Sequence, residues 1–135
     1  MMLKAGIEGE AALTVKNSDT AAAVGSGDLA VFATPAMAAL MEKTAMESIA
    51  PFLDEGATTV GTSLDIKHTA ATPVGMTVRC KSTLTAVDGR RLCFALEVFD
   101  ECGPVGSGTH ERFIVLGAPF QAKADGKLTK ERADK

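Results

Sequence analysis

Three residues in the sequence have side chains of the types that act together in acid–base and nucleophilic catalysis: Thr34, Glu42 and His68. A hydroxyl is a poor nucleophile without a base, and an imidazole can accept its proton near neutral pH. A carboxylate can orient that imidazole, or act itself as base or nucleophile. Each residue also has a structural interpretation: a helix cap for the threonine, a solvated helix margin for the glutamate and a backbone-bonded core residue for the histidine.

Two of these residues lie in residues 34–53, a stretch that is predicted to be the one long helix of the chain. Thr34 is a favourable N-cap, and Pro35 fits the first helical turn. Asp54 and Gly56 follow the predicted end, where a stop and a turn are expected. The threonine therefore lies at the start of the helix, with the glutamate about two turns beyond it.

Glu42 falls within the apolar stripe of this helix when the chain is wound at about 3.6 residues per turn. The residues that share its face are Ala38, Ala45, Met46 and Ile49. A carboxylate among apolar side chains is costly unless it is paired or belongs to a site. Glu42 is therefore a candidate functional residue, and the alternative is a margin position from which its charge reaches water.

Most of the remaining chain is predicted to form strands, at residues 6–16, 58–70, 76–87, 92–98 and 105–116. Apolar and polar residues alternate there, and Asp88-Gly89 is a strong hairpin signal. One strand, one long helix and then four strands joined by short hairpins indicate an α+β fold, in which the helix packs on one face of an antiparallel sheet. The polar sequence after Gly117 predicts a domain at residues 1–117 and an exposed tail at residues 118–135.

His68 has the same parity as Val60, Leu64 and Ile66 in the second predicted strand, so these side chains are expected to face the helix. Thr59 has the opposite parity and is expected to face away. The hydroxyl, carboxylate and imidazole could then meet under one helix. The alternative is that His68 is a core histidine bonded to backbone.

Composition excludes several classes of function. The chain has 135 residues, a net charge of −3 and neither Trp nor Tyr, so it offers neither a basic patch nor an aromatic ladder to nucleic acid. No apolar run is long enough to span a bilayer, and the first residues lack the apolar core of a signal peptide. Cys80, Cys93 and Cys102 are odd in number and form no CxxC pair, so neither disulfides nor a metal site are expected. These features predict a cytoplasmic protein with one domain.

Five motifs follow one another along the chain: TPAMAALME at 34–42, VGT at 60–62, HTAATPVGMTV at 68–78, VDGRRL at 87–92 and GSGTHER at 106–112. In type and spacing they resemble the fluoroacetyl-CoA thioesterase family, over about residues 33–115. The resemblance implies a single hot-dog domain, with an antiparallel sheet wrapped around a central helix, that pairs into a homodimer with sites at the interface. It implies hydrolysis of a short-chain acyl-CoA to a carboxylic acid and free CoA, with no metal and no cofactor besides the CoA of the substrate.

The resemblance also assigns roles to individual residues. Thr34, Glu42 and His68 correspond to the catalytic set. His68 would act as general acid or base, Glu42 would activate water or attack the carbonyl, and Thr34 would donate a hydrogen bond or act as nucleophile. Gly61 and Thr62 would lie beside the thioester, with backbone N–H groups available to its oxygen. From the residues alone, a glycine within a strand also fits a β-bulge.

Arg112 and His110 share one parity in the last motif. Arg112 is a candidate substrate-binding residue that could pair with a carboxylate at the site, contact the phosphates of CoA or form a surface ion pair. A structural role is favoured for His110. The segment AAAVGSGDLA before the helix, with only Phe32 nearby, lacks the phenylalanine-bearing lid of the fluoroacetyl-specific enzyme. This difference favours a general short-chain acyl-CoA thioesterase over a fluoroacetyl-selective one.

Two other functions are alternatives to hydrolysis. A non-catalytic module could bind acyl-CoA or a small acid in the same pocket, although such a module would not need all three polar residues. A hot-dog hydratase would need an Asp/His pair on one face. Asp65 and His68 are three residues apart in a strand and therefore face opposite ways.

Overall fold

The structure, a computed structural model, describes residues 2–129. Its elements are β1 (Glu8–Thr14), α1 (Ala21–Val24), α2 (Thr34–Ile49), β2 (Ala57–His68), β3 (Thr77–Asp88), β4 (Arg91–Asp100), β5 (Gly103–Leu116) and α3 (Gly117–Asp125). In this part of the chain the strands form one five-stranded sheet in the order β1-β3-β4-β5-β2, with every neighbouring pair antiparallel. Helix α2 packs against β1, β2 and β3. The predicted α+β class is confirmed, and β1 and β2 are the edge strands. The predicted hairpin between β2 and β3 was wrong, because β2 pairs with β5 at one edge of the sheet while β3 pairs with β1 and β4.

The core lies between α2 and the face of the sheet that the helix covers. Fully buried side chains recur along α2 at helical spacing: Met37, Leu40, Met41, Thr44, Ala45 and Ile49. The sheet contributes alternate buried residues of β3 and β4: Val78, Cys80, Leu84, Leu92, Phe94, Leu96 and Val98. Burial of a large apolar side chain stabilises the fold by about 1.5–3 kcal/mol, so this packing holds α2 in place above the sheet.

Both ends of α2 differ from the prediction. The N-cap is Ala33, with extended backbone angles, and Thr34 is the first helical residue. Its hydroxyl is therefore free for a contact elsewhere. The helix ends at Ile49 and a 3₁₀ turn follows at Ala50–Phe52, before the predicted end at residue 53. Pro51 accounts for the change, because a proline has no N–H to donate to the carbonyl four residues earlier.

Strand β2 contains a bulge that corrects the predicted alternation. Its pairing with β5 shifts between Gly61 and Ser63, so that Thr62 is an extra residue. One extra residue exchanges the two faces of a strand. Thr59 is therefore buried on the helix side, whereas Val60 turns to the opposite face. The predicted parity was wrong for these two residues and holds beyond the bulge.

Both terminal segments differ from the prediction. The first strand is shorter, Glu8–Thr14 instead of residues 6–16. The segment predicted as an exposed tail begins with α3 and a 3₁₀ turn at Gly126–Leu128, and no side chain of either element is buried. Residues 130–135 of that predicted tail lie outside the described part of the chain. Among residues 2–129 no helix has the length and apolarity needed to cross a bilayer.

Candidate active site

Thr34 and His68 are in direct contact. The threonine begins α2 and the histidine ends β2, and the distance between Thr34 Oγ1 and His68 Nδ1 is 2.7 Å. The ring of Phe32, which is buried in the core, meets the imidazole edge-on with centroids 6.4 Å apart. Thr34 thus serves as a partner of the histidine and not as the predicted helix cap.

The pair lines a small cleft of about 270 Å³, whose other walls are Val31, Phe32 and residues 69–71. His68 Nε2 is buried and has no hydrogen-bond partner within residues 2–129. A buried polar atom without a partner costs free energy, and such atoms in folded proteins call for a functional or structural explanation. The nitrogen can serve as donor or as acceptor according to the tautomer.

Glu42 lies at a second place, over the backbone of Gly61. A Cβ atom built on Gly61 would be 2.5 Å from Glu42 Oε2, so the missing side chain is what makes room for the carboxylate. The Glu42 side chain is 46 % exposed and lies 4.0 Å from Arg112 Nη1. Glu42 is thus at the margin of the buried stripe, paired with a cation and open to solvent on one side.

Arg112 is buried, with 5 % of its surface exposed. Its Nε donates to Thr59 Oγ1 at 2.7 Å, and its Nη2 donates to the Thr59 carbonyl oxygen at 2.9 Å. Its Nη1 lies 3.2 Å from His110 Nε2. Burial lowers the pKa of Arg112 and the nearby Glu42 carboxylate opposes that shift, but an arginine keeps its charge in either case. A buried cation needs an anion, and Glu42 supplies it.

The three candidate catalytic residues therefore do not meet within one chain. Thr34 and Glu42 are eight residues apart on α2, which is about 12 Å along the helix axis. His68, which contacts Thr34, and Gly61, which lies under Glu42, are about 20 Å apart along β2. The structure thus divides the predicted set into a Thr34–His68 half-site and a Glu42–Arg112 half-site.

The other predicted site residues are Gly61, Thr62 and Arg112, and the structure gives each a position. Gly61 begins the bulge, and its backbone forms the floor under the Glu42 carboxylate. Thr62 is exposed and its hydroxyl donates to the Glu111 carbonyl oxygen at 3.2 Å. Arg112 pairs with a carboxylate, which was one of its three predicted contacts.

Sequence reasoning did not include Thr59 or His110 among the site residues. Simple alternation along the strand predicts that Thr59 faces away from the helix, and the bulge reverses this, so the sequence pattern alone could not identify it. His110 did carry a signal: it is two residues before Arg112 in a strand, so the two side chains must lie side by side on the same face.

His110 predicts a pH dependence of stability. Burial lowers its pKa, Arg112 lowers it further, and a hydrogen bond to the Ser63 carbonyl together with Glu42 partly opposes the shift. The unfolded chain therefore takes up a proton below about pH 6.5 that the folded protein does not bind. Stability from this residue is present above pH 6.5 and is lost as the pH falls toward the depressed folded value, by at most about 1.4 kcal/mol per pH unit. Urea unfolding at several pH values between 7.5 and 5 measures the free energy of unfolding at each pH. This free energy should depend less steeply on pH in His110→Gln than in wild type; equal slopes would contradict the prediction.

A model of the fluoroacetyl-CoA-specific thioesterase family matches residues 15–118 of the chain. The chain belongs to this family. A curated member, the fluoroacetyl-CoA thioesterase of Streptantibioticus cattleyicolor, is 42 % identical over 97 residues, which are 72 % of this chain and 70 % of that protein.

Two solved structures show the same relationship. A variant of the fluoroacetyl-CoA thioesterase FlK in complex with acetyl-CoA is 33 % identical, with a TM-score of 0.88 over 93 % of this chain and 98 % of the other. A thioesterase superfamily member from Thermus thermophilus is 29 % identical, with a TM-score of 0.83 over 96 % of this chain and 95 % of the other. The hot-dog fold expected from the sequence is thereby confirmed.

Proposed function

We propose that this member of the fluoroacetyl-CoA-specific thioesterase family hydrolyses short-chain acyl-CoA thioesters to a carboxylic acid and free CoA. The observation that carries the proposal is the Thr34–His68 pair: His68 lines a cleft of about 270 Å³, and its buried Nε2 has no hydrogen-bond partner within residues 2–129. A cleft of this size suits a small acyl group. The acetyl-CoA complex of a related enzyme supports the substrate class.

We further propose a homodimer in which β2 pairs with β2 of a second copy. β2 is an edge strand, and an unpaired edge is a template for another strand. An antiparallel pairing centred between Leu64 and Asp65 would set Gly61 opposite the partner's His68. Each site would then combine the Thr34–His68 half-site of one chain with the Glu42–Arg112 half-site of the other.

The proposed reaction uses the side chains of this composite site. Glu42 takes a proton from water while the water oxygen attacks the thioester carbonyl carbon. Backbone N–H groups at the bulge, Gly61 and Thr62, stabilise the oxyanion. As the C–S bond breaks, His68 gives a proton to the departing CoA thiolate, and Thr34 holds the imidazole in place. Glu42 releases its proton to solvent, which also reprotonates His68. The chemistry calls on no metal or cofactor, and the CoA belongs to the substrate.

The test is thiol release from a series of acyl-CoAs, acetyl through hexanoyl together with fluoroacetyl. Turnover of the short members is expected. Because the lid segment before α2 carries no phenylalanine and Phe32 is in the core, we expect no marked preference for fluoroacetyl-CoA over acetyl-CoA. Tight CoA binding without thiol release would favour the binding module instead.

A Gly61→Ala substitution is expected to lower kcat/KM by about 10- to 100-fold, because a small displacement of a catalytic group is costly. The added methyl would lie 2.5 Å from Glu42 Oε2, 3.2 Å from His110 Cε1 and 3.4 Å from Arg112 Nη1, so the carboxylate must move. Thiol-release kinetics measure the effect. Gly126→Ala is the matched control, since a Cβ there has no neighbour within 4 Å. Wild-type activity in Gly61→Ala would remove Glu42 from the site.

A cytoplasmic location is also proposed. Cys102 is exposed and free, and the thiol of such a residue persists in a reducing compartment.

A further inference from the structure

We propose that His110 is a positioning residue, whose neutral imidazole holds the Arg112 guanidinium against Glu42. This inference rests on the proposed function, because that function makes Glu42 the base of the reaction. It assigns to His110 a task that the sequence did not suggest and that requires no contact with substrate.

The hydrogen-bond partners determine the tautomer of His110. A guanidinium has only donors, so His110 Nε2 must accept from Arg112 Nη1, at 3.2 Å. A carbonyl oxygen is only an acceptor, so Nδ1 must carry the proton that it donates to the Ser63 oxygen, at 2.7 Å. The ring is therefore neutral and held at both nitrogens. A protonated ring would put a donor against a donor and a cation beside a buried cation.

The Arg112 nitrogen that contacts His110, Nη1, is also the one that faces Glu42. Thr59 holds Nε and Nη2 on one side of the guanidinium. Nη1 faces Glu42 Oε2 at 4.0 Å, and His110 is its hydrogen-bond acceptor within the described residues. The imidazole thus completes the fixation of Arg112 at the nitrogen that faces the carboxylate. Without that acceptor, the two bonds to Thr59 alone hold the guanidinium, and Nη1 loses its hydrogen bond beside Glu42.

His110 is not placed to carry protons itself. It is 2 % exposed, both ring nitrogens are engaged, and the ring lies against Phe94 with centroids 6.0 Å apart. The groups facing it are Arg112 from its own strand and Glu42 from α2. Its burial lowers the pKa of the imidazole, which agrees with a residue that stays neutral while the enzyme works.

Two substitutions separate the two hydrogen bonds of the ring. In His110→Gln the amide oxygen can replace Nε2 as the acceptor for Arg112, while the bond to Ser63 is lost. In His110→Asn the amide nitrogen can replace Nδ1 as the donor to Ser63, while Arg112 loses its acceptor. The pair therefore distinguishes a role toward Arg112 from a merely structural role in anchoring the strand.

We expect His110→Asn to lower kcat for acetyl-CoA by about 10-fold with KM changed by less than about twofold. His110→Gln should keep most of the wild-type kcat. A His110→Asn kcat that equals that of wild type, or equal losses in the two variants, would overturn the proposal.

A nitrogen-15 NMR experiment on the labelled full-length protein decides the same point without turnover. The Arg112 Nη1–H signals should exchange slowly in wild type and in His110→Gln, and faster in His110→Asn, whereas the Nε–H signal, which is bonded to Thr59, should change little. In wild type alone, His110 should show a protonated Nδ1 and an unprotonated Nε2, and the opposite tautomer would overturn the proposal even if His110→Asn does not fold. Absence of thiol release by wild type would refute the proposed function, whereas the NMR signals would still report on the Arg112 contact.

Discussion

Replacement of His68 by alanine is expected to lower kcat/KM for short acyl-CoAs by about 100- to 10,000-fold, the range of a general acid or base. The imidazole is the one group of the Thr34–His68 half-site that can protonate a thiolate at neutral pH. Its Nε2 is buried and has no hydrogen-bond partner among residues 2–129, which is a costly state for a polar atom. Thiol release measures the effect, at several substrate concentrations to separate kcat from KM.

The stability of His68→Ala supplies the internal control. Because the substitution removes a buried polar atom that has no partner within residues 2–129 together with one hydrogen bond to Thr34, we expect its melting temperature to stay close to that of wild type. Lys67→Ala is the matched variant: Lys67 is the neighbouring residue on the opposite face of β2, and its side chain is 73 % exposed. It should keep wild-type activity. A His68→Ala protein that folds and still turns over at the wild-type rate would exclude the assigned role.

Mixing two inactive variants is expected to restore activity. In the composite site, one chain supplies Thr34 and His68 while the partner supplies Glu42. A dimer of one His68→Ala chain and one Glu42→Gln chain therefore has one site with both defects and one site with neither. Random exchange of subunits puts such mixed dimers at about half of the population, so about one quarter of the wild-type activity should return.

The control pair for this experiment lies within one half-site. Thr34→Val and His68→Ala alter residues of the same chain's half-site, so their mixed dimers contain no intact site and should stay inactive. Co-expression with two different affinity tags isolates the mixed dimers, and thiol release is then measured on them. If all three residues acted within one chain, neither mixture would recover, and the proposed pairing of β2 would be wrong.

The sequence alone was enough to predict the fold class, although not the order of the strands in the sheet. Helical spacing with Pro35 near its start identified α2, and strand alternation with Asp88-Gly89 identified the hairpin of β3 and β4. These signals are local, since helix periodicity, strand alternation and turn chemistry each operate over a few residues. The motifs from Thr34 to Arg112 also predicted the family, and the family match confirmed it.

The tertiary structure decided what local signals could not. A bulge at Gly61 depends on pairing with Arg112 of β5, 51 residues later in the chain, and it brings Thr59 to Arg112. The capping role predicted for Thr34 gave way to a hydrogen bond with His68, 34 residues later.

The division of the candidate residues into two half-sites has the same origin. Parity determines which face of a strand a side chain occupies, but not where along that face it meets the helix above. The direction of α2 over β2 sets that position, and it puts Thr34 at one end and Glu42 at the other. Residue types and their spacing in the sequence therefore determined which residues could do chemistry. Long-range packing determined which of them lie together in one chain, because register and helix placement depend on contacts between distant segments.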